Sequence, residues 1–282
     1  MLIIRRRPTM TEISKKNEKK RMGGKKKLMI ILGIVLAIIL TLVITVMIIS
    51  GKNMKSLNSC IDGVLAELQQ HYTLTPVDAG DYEEMTIYGI MKFDVDQYNI
   101  EELGNLSIMK VNMGVMQMAT AVITPQDKNM PLLSADYMYI LGNRKSYLEF
   151  YDVVEKKDDA YNGLLSALAD NLKKYDHLEA VETTPAWYAD LLTVTAYKSG
   201  KSDADTTLNQ MLSESIKIYA EHAKELPFLT EEERAKKLEI TTAYTDGLIE
   251  KGGISTDVFK KSLGDDVTKD FFDQVFFGTA VN

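Results

Sequence analysis

Residues 28–50 form an uncharged, almost wholly apolar run directly behind a tract of lysine and arginine. The run, LMIILGIVLAIILTLVITVMIIS, has no charge, no Pro and a single Gly. As a helix rising about 1.5 Å per residue it crosses a hydrocarbon core of about 30 Å with some tilt. It is too long for the apolar centre of a cleaved signal peptide, and the Gly51-Lys52-Asn53-Met54 sequence behind it is a poor cleavage site. The expectation is a retained, single-pass transmembrane helix over 28–50 that contacts the lipid bilayer.

The flanks set the expected orientation. Residues 1–27 carry 11 basic residues against Glu12 and Glu18. The positive-inside bias then keeps this basic tail in the cytoplasm and places the main domain outside the cell membrane. Without the tail, 22 basic residues remain against 38 acidic ones, a balance of −16. A domain so acidic repels nucleic acid, which is therefore excluded as a partner.

Few catalytic chemistries remain open. The single cysteine, Cys60, cannot form an internal disulfide and reads as an incidental juxtamembrane residue. His71, His177 and His222 are scattered, which rules out the usual His/Cys zinc patterns, and no metal site is expected. No GxGxxG, GxxxxGK[ST] or GxSxG occurs, so neither a nucleotide fold nor a serine hydrolase is supported.

Periodicity divides the rest into a strand block and a helical block. Leu57, Ile61, Val64, Leu65 and Leu68 recur at helical spacing over 55–72, and residues 51–83 read as a juxtamembrane helix and linker. Strands are expected at 85–95, 108–124 (with Gly114 as a bulge or bend), 132–141 and 147–154. Helices follow at 161–175, 208–224, from the Thr230/Glu233 capping box to about 251, 255–263 and 267–277. Strands followed by helices imply an α+β domain over 84–282 with helices packed on a sheet.

Residues 116–154 read MQMATAVITPQDKNMPLLSADYMYILGNRKSYLEFYDVV. A strand ends in Pro125, a turn leads to Pro131-Leu132-Leu133, and Asp136 opens the next strand. This resembles the ferredoxin-dependent bilin reductases, in which a similar run carries a catalytic aspartate. Thr184-Pro185-Ala186-Trp187 before a helix, and Phe259 to Gly264 followed by Phe271-Phe272 and Val275-Phe276-Phe277, match later elements of that family in order. The resemblance covers residues 84–278.

It implies an α/β/α sandwich with a central antiparallel sheet and a helical C-terminal block. An open-chain tetrapyrrole would lie between sheet and C-terminal helices, with no other cofactor. Side chains would supply protons while an external donor, ferredoxin in that family, supplies single electrons. Asp136 is the implied catalytic proton donor, since a carboxyl in a mostly apolar slot has a raised pKa. Thr120, Met116, Met118, Met138 and Trp187 are the implied ligand contacts. Two positions depart from the pattern. Thr120 stands where the family has His or Asn, and Gly252-Gly253 replaces an Asn-Asp pair. These departures favour an alternative: a non-catalytic envelope binding or interaction module that keeps the fold. The acidic domain is also a poor dock for an acidic ferredoxin, so the electron donor is unassigned. Without the resemblance, Asp136 is a turn residue and the methionines and Trp187 are core.

Overall fold

A computed structural model describes residues 24–280; residues 1–23 of the basic tail and 281–282 lie outside the described residues. Elements run in the order α1 (Gly24–Gln69), β1 (Leu74–Val77), β2 (Glu84–Ile87), β3 (Met91–Ile100), β4 (Gly104–Asn112), β5 (Met116–Pro125), β6 (Leu132–Ile140), β7 (Asn143–Tyr151), α2 (Asp159–Lys173), β8 (Glu179–Ala180), β9 (Leu192–Lys201), α3 (Asp205–Glu225), α4 (Glu231–Lys251), α5 (Ile254–Leu263), α6 (Asp265–Phe271) and a π turn, Phe272–Phe276. The chain divides into two units, residues 1–45 and 46–282.

In the first unit the apolar residues of α1 are exposed, Leu28, Leu32, Leu36 and Leu40 among them. By length and composition the helix can cross a membrane. The helix does not stop where the apolar run stops. From Ser50 onward it becomes one-sided, and Leu57, Cys60, Ile61, Val64 and Leu68 are buried against the sheet. Residues 51–83 are therefore not a linker. They hold the end of α1 and also β1, which pairs with β3. Cys60 is correspondingly a core residue rather than an incidental one.

Among the described residues nine strands form one antiparallel sheet in the order β1-β3-β4-β5-β6-β7-β9-β8, with β2 also on β3. Because side chains alternate, the sheet has two apolar faces and needs two covers. The end of α1 with α2 and α3 covers one, over Leu106, Ile108, Ile123, Leu133, Tyr137 and Phe150. The C-terminal helices α4 to α6 and the π turn cover part of the other, over Phe93, Val95, Met109, Val111 and Tyr151. This is the expected sandwich with its helical C-terminal block.

Several boundaries differ from expectation. The stretch 85–95 is a hairpin rather than a strand, turning at Tyr88 and Gly89, whose φ values are 52° and 69°. The stretch 108–124 is likewise two strands, and Gly114, at φ 73°, is their turn rather than a bulge. Strand β9 was not anticipated, because its buried side is weakly apolar. Pro185 and Trp187 precede a 3-10 turn and that strand, not a helix.

A buried polar knot ties α1 to two hairpin turns. Asn53 donates to Gln117 Oε1 (2.7 Å) and to the Leu141 carbonyl (2.9 Å). Ser50 donates to Asn112 Oδ1 at 3.0 Å, and Gln117 donates onward to the Gly114 carbonyl at 2.7 Å. Each buried amide thus finds partners, without which its burial would be costly. The turn at Leu141 holds a bulky residue at φ 53°, where Asn or Gly is preferred. Leu141→Asn leaves the carbonyl in place and should stabilise the full chain in detergent by about 1 kcal/mol. Denaturant unfolding checks this, and a loss of stability would show that the leucine side chain contributes packing.

Candidate functional site

The antiparallel register sets the expected residues in adjacent rows on the half-covered face. One row runs Val95, Met109, Thr120, Asp136, Tyr147, Tyr197 across β3, β4, β5, β6, β7 and β9. The next row, nearer the β4–β5 and β6–β7 turns, holds Met118, Met138 and Lys145, and Met116 lies one row further. On the other side of Asp136 come Ser134 and Glu149. Four of the five expected ligand contacts, Thr120, Met116, Met118 and Met138, therefore share Asp136's face.

Asp136 is half-buried on this strip, as are Met116, Met118, Ser134, Met138, Tyr147, Glu149 and Tyr197. The strip is a half-buried band of sheet beside the C-terminal helices. Thr120, directly opposite Asp136, donates to its Oδ1 at 2.5 Å, and Ser134 donates to Oδ2 at 3.2 Å. Burial, with a smaller push from the neighbouring Glu149 charge, raises the Asp136 carboxyl to about 6 against the opposing pull of the two hydroxyl donors. Glu149 is held separately, accepting from Tyr151 (2.5 Å) and Tyr197 (2.7 Å).

An aromatic cluster borders the two carboxyl groups. Tyr151 packs against Tyr188 and Tyr244, with ring centroids 5.8 and 5.0 Å apart. Burial, with the nearby Glu149 and Asp136 charges, raises the hydroxyls of Tyr188 and Tyr244 above their ordinary range. Trp187 sits behind these tyrosines. Its Nε1 donates to the Gly252 carbonyl at 2.9 Å, and a Cβ on Gly247 would lie only 2.4 Å from its ring. Trp187 thus fastens the end of α4 to the segment before β9. Gly252-Gly253, where the resemblance implies a second acidic group, forms this α4 terminus.

Glu149, Tyr151, Tyr188, Tyr197 and Tyr244 were not expected as site residues. They come from four separate elements or loops, and no local spacing links them. Among the described residues no cluster of His, Cys, Asp and Glu could hold a metal ion. The larger of two notable cavities, about 1010 Å³, lies away from Asp136, between the β1–β3 edge and the C-terminal helices, where Asp81, Glu84, Gln97, Asn99 and Gln274 line it. The other, about 110 Å³, lies beside Thr124 and Lys237.

No family model and no curated sequence matches the chain. The architecture is similar to that of phytochromobilin synthase from tomato, solved in complex with biliverdin, with a TM-score of 0.64 and 14% identity, covering 79% of this chain and 83% of that one. The chain has a distant bilin reductase-like fold.

The raised Asp136 carboxyl links stability to pH. Its folded pKa of about 6 exceeds the ordinary 3.8, so the folded state holds more protons between those values and stability falls as pH rises through them. The stability advantage of Asp136→Asn over the native chain should grow from pH 3.8 to about 6 and stay constant above. Denaturant midpoints across this range check it, and parallel curves for the two proteins would contradict it.

Proposed function

We propose that the domain binds an open-chain tetrapyrrole or a similar extended, conjugated ligand on the half-covered sheet face. The observation that carries this reading is the half-buried Asp136 carboxyl, bonded to Thr120 and Ser134 on a half-buried strip beside the C-terminal helices. The fold likeness supports it, since that neighbour was solved with biliverdin. The strip suits such a ligand chemically. Met116, Met118 and Met138 offer a polarizable floor. Tyr147 and Tyr197, with rings 5.7 Å apart, offer aromatic surface. Lys145, exposed in the row beside Met138, can pair with a ligand carboxylate.

In this reading a one-electron donor reduces the bound ligand to a radical anion and Asp136 supplies the proton. A carboxyl poised near 6 is protonated often enough to donate at neutral pH. The Thr120 hydroxyl takes the place of the family's His or Asn as a positioning donor, and Glu149 keeps a second charge close by. Residues 28–50 hold the domain at a bilayer, with the basic tail in the cytoplasm and the domain outside, so that the donor lies on that side too.

A non-catalytic binding module is the second reading. It is favoured by Gly252-Gly253, which stand where the resemblance implies an acidic group, and by a cavity of about 1010 Å³ that does not include Asp136.

Titration of the purified full chain with biliverdin separates the readings. The expected result is a shifted absorbance spectrum on binding, and bleaching when a chemical one-electron reductant is added. Asp136→Asn should bind equally and bleach at least about tenfold more slowly, the order of effect of a lost general acid. Binding without bleaching supports the module, and no spectral shift at tens of micromolar removes the tetrapyrrole altogether.

A further inference from the structure

We infer that the hairpin tips β2–β3, β4–β5 and β6–β7 rest in the headgroup region of the bilayer, so that the domain docks on lipid as well as being tethered to it. This rests on the membrane-anchor reading above. The antiparallel order puts all three turns at one end of the sheet. That end is also where the apolar run of α1 stops. Ser50, its last residue, bonds Asn112 beside the second turn, and Asn53, one turn later, bonds the Leu141 carbonyl in the third. The tips therefore lie at the level where the chain leaves hydrocarbon.

Their composition is the reverse of what water selects. Ile90 is 82% exposed, Val115 51%, Tyr88 49% and Leu141 40%. Tyr88 and Leu141 stand at φ 52° and 53°, positions where soluble hairpins place Asn, Asp or Gly. Two bulky side chains are thus held in unfavourable backbone geometry while about half exposed. The turns at the opposite end of the sheet are polar: Glu101 and Glu102 between β3 and β4, and residues 126–129 between β5 and β6.

Charge agrees with this assignment. Segments 86–92, 111–117 and 138–146 contain no Asp or Glu, in a domain that is otherwise strongly acidic. They contain Lys92, Arg144 and Lys145, and Lys52 is exposed on α1 at the same end. Arg144 is committed to Asp205 at 2.6 Å, which leaves the lysines for lipid phosphates. Apolar tips ringed by lysine suit an interface with anionic headgroups, where side chains enter about 5–10 Å and lysine stems reach back to the phosphates. The same docking would set the methionine end of the candidate site, Met116 and Met118, near the lipid surface.

The test reconstitutes the full chain in phosphatidylcholine vesicles containing phosphatidylglycerol. Single cysteines, Ile90→Cys, Val115→Cys and Leu141→Cys, carry an environment-sensitive fluorophore. Glu102→Cys reports the far end of the sheet and Ile38→Cys reports the anchor. Native Cys60 does not compete, because it is buried with its thiol pushed up to about 12. The expected result is blue-shifted emission at all three tips, quenched by lipids with a nitroxide near the headgroup, and unshifted, unquenched emission at Glu102→Cys. Tips that behave like Glu102→Cys while Ile38→Cys is quenched overturn the docking and leave the anchor standing. Ile38→Cys is probed with a nitroxide deep in the acyl chain instead, and emission there that is neither blue-shifted nor quenched overturns the anchor and the docking with it.

Discussion

A sheet that is apolar on both faces must be covered on both, and this one is covered unequally. Three helical segments close the first face, where Ile108, Tyr137 and Phe150 are buried. The C-terminal helices close the second only over β3 to β5 and the far ends of β6 and β7. The remainder is a strip in which carboxylates and hydroxyls alternate with methionines and tyrosines. Burying a carboxylate without partners is costly, and the two on this strip are each given two hydroxyl donors. They are supported differently. Glu149 receives two phenols and Asp136 two aliphatic hydroxyls, and burial holds the Asp136 carboxyl above its ordinary range, at about 6.

The second organising element is α1. One helix changes character along its length: apolar on every side through residues 28–50, then one-sided where it lies on the sheet. The polar knot of Ser50, Asn53 and Gln117 marks the change and fixes the β4–β5 and β6–β7 turns to it. The candidate site lies two to three strand rows from those turns.

Much of this was legible in the sequence because register is a local property. Residues 116–140 form one hairpin, so a strand, a Pro-bounded turn and a second strand predict that Thr120 faces Asp136 and that Met118 faces Met138. The capping box at Thr230 and Glu233 likewise announces α4. What failed was non-local or depended on a change of solvent. Composition shifts at Ser50 but helical geometry does not, so a boundary was expected inside a continuous helix. Gly114 interrupts an apolar run whose halves are equally strand-like, so its turn resembled a bulge. Tyr188 and Tyr244 meet Tyr151 only through tertiary packing, and nothing in their spacing reveals it. Trp187, expected on the ligand, has its indole bonded to the Gly252 carbonyl and filling the space above Gly247, a packing role its local sequence does not reveal.

The central claim is that burial, with the neighbouring Glu149 charge, holds the Asp136 carboxyl above its ordinary range. Carbon-13 NMR titration of aspartate carboxyl groups in the full chain, with Asp136 assigned as the resonance missing from Asp136→Asn, tests this most directly. A midpoint at about 6 that falls in Glu149→Gln is the predicted result. A midpoint at or below the ordinary 3.8, unmoved by Glu149→Gln, would contradict it.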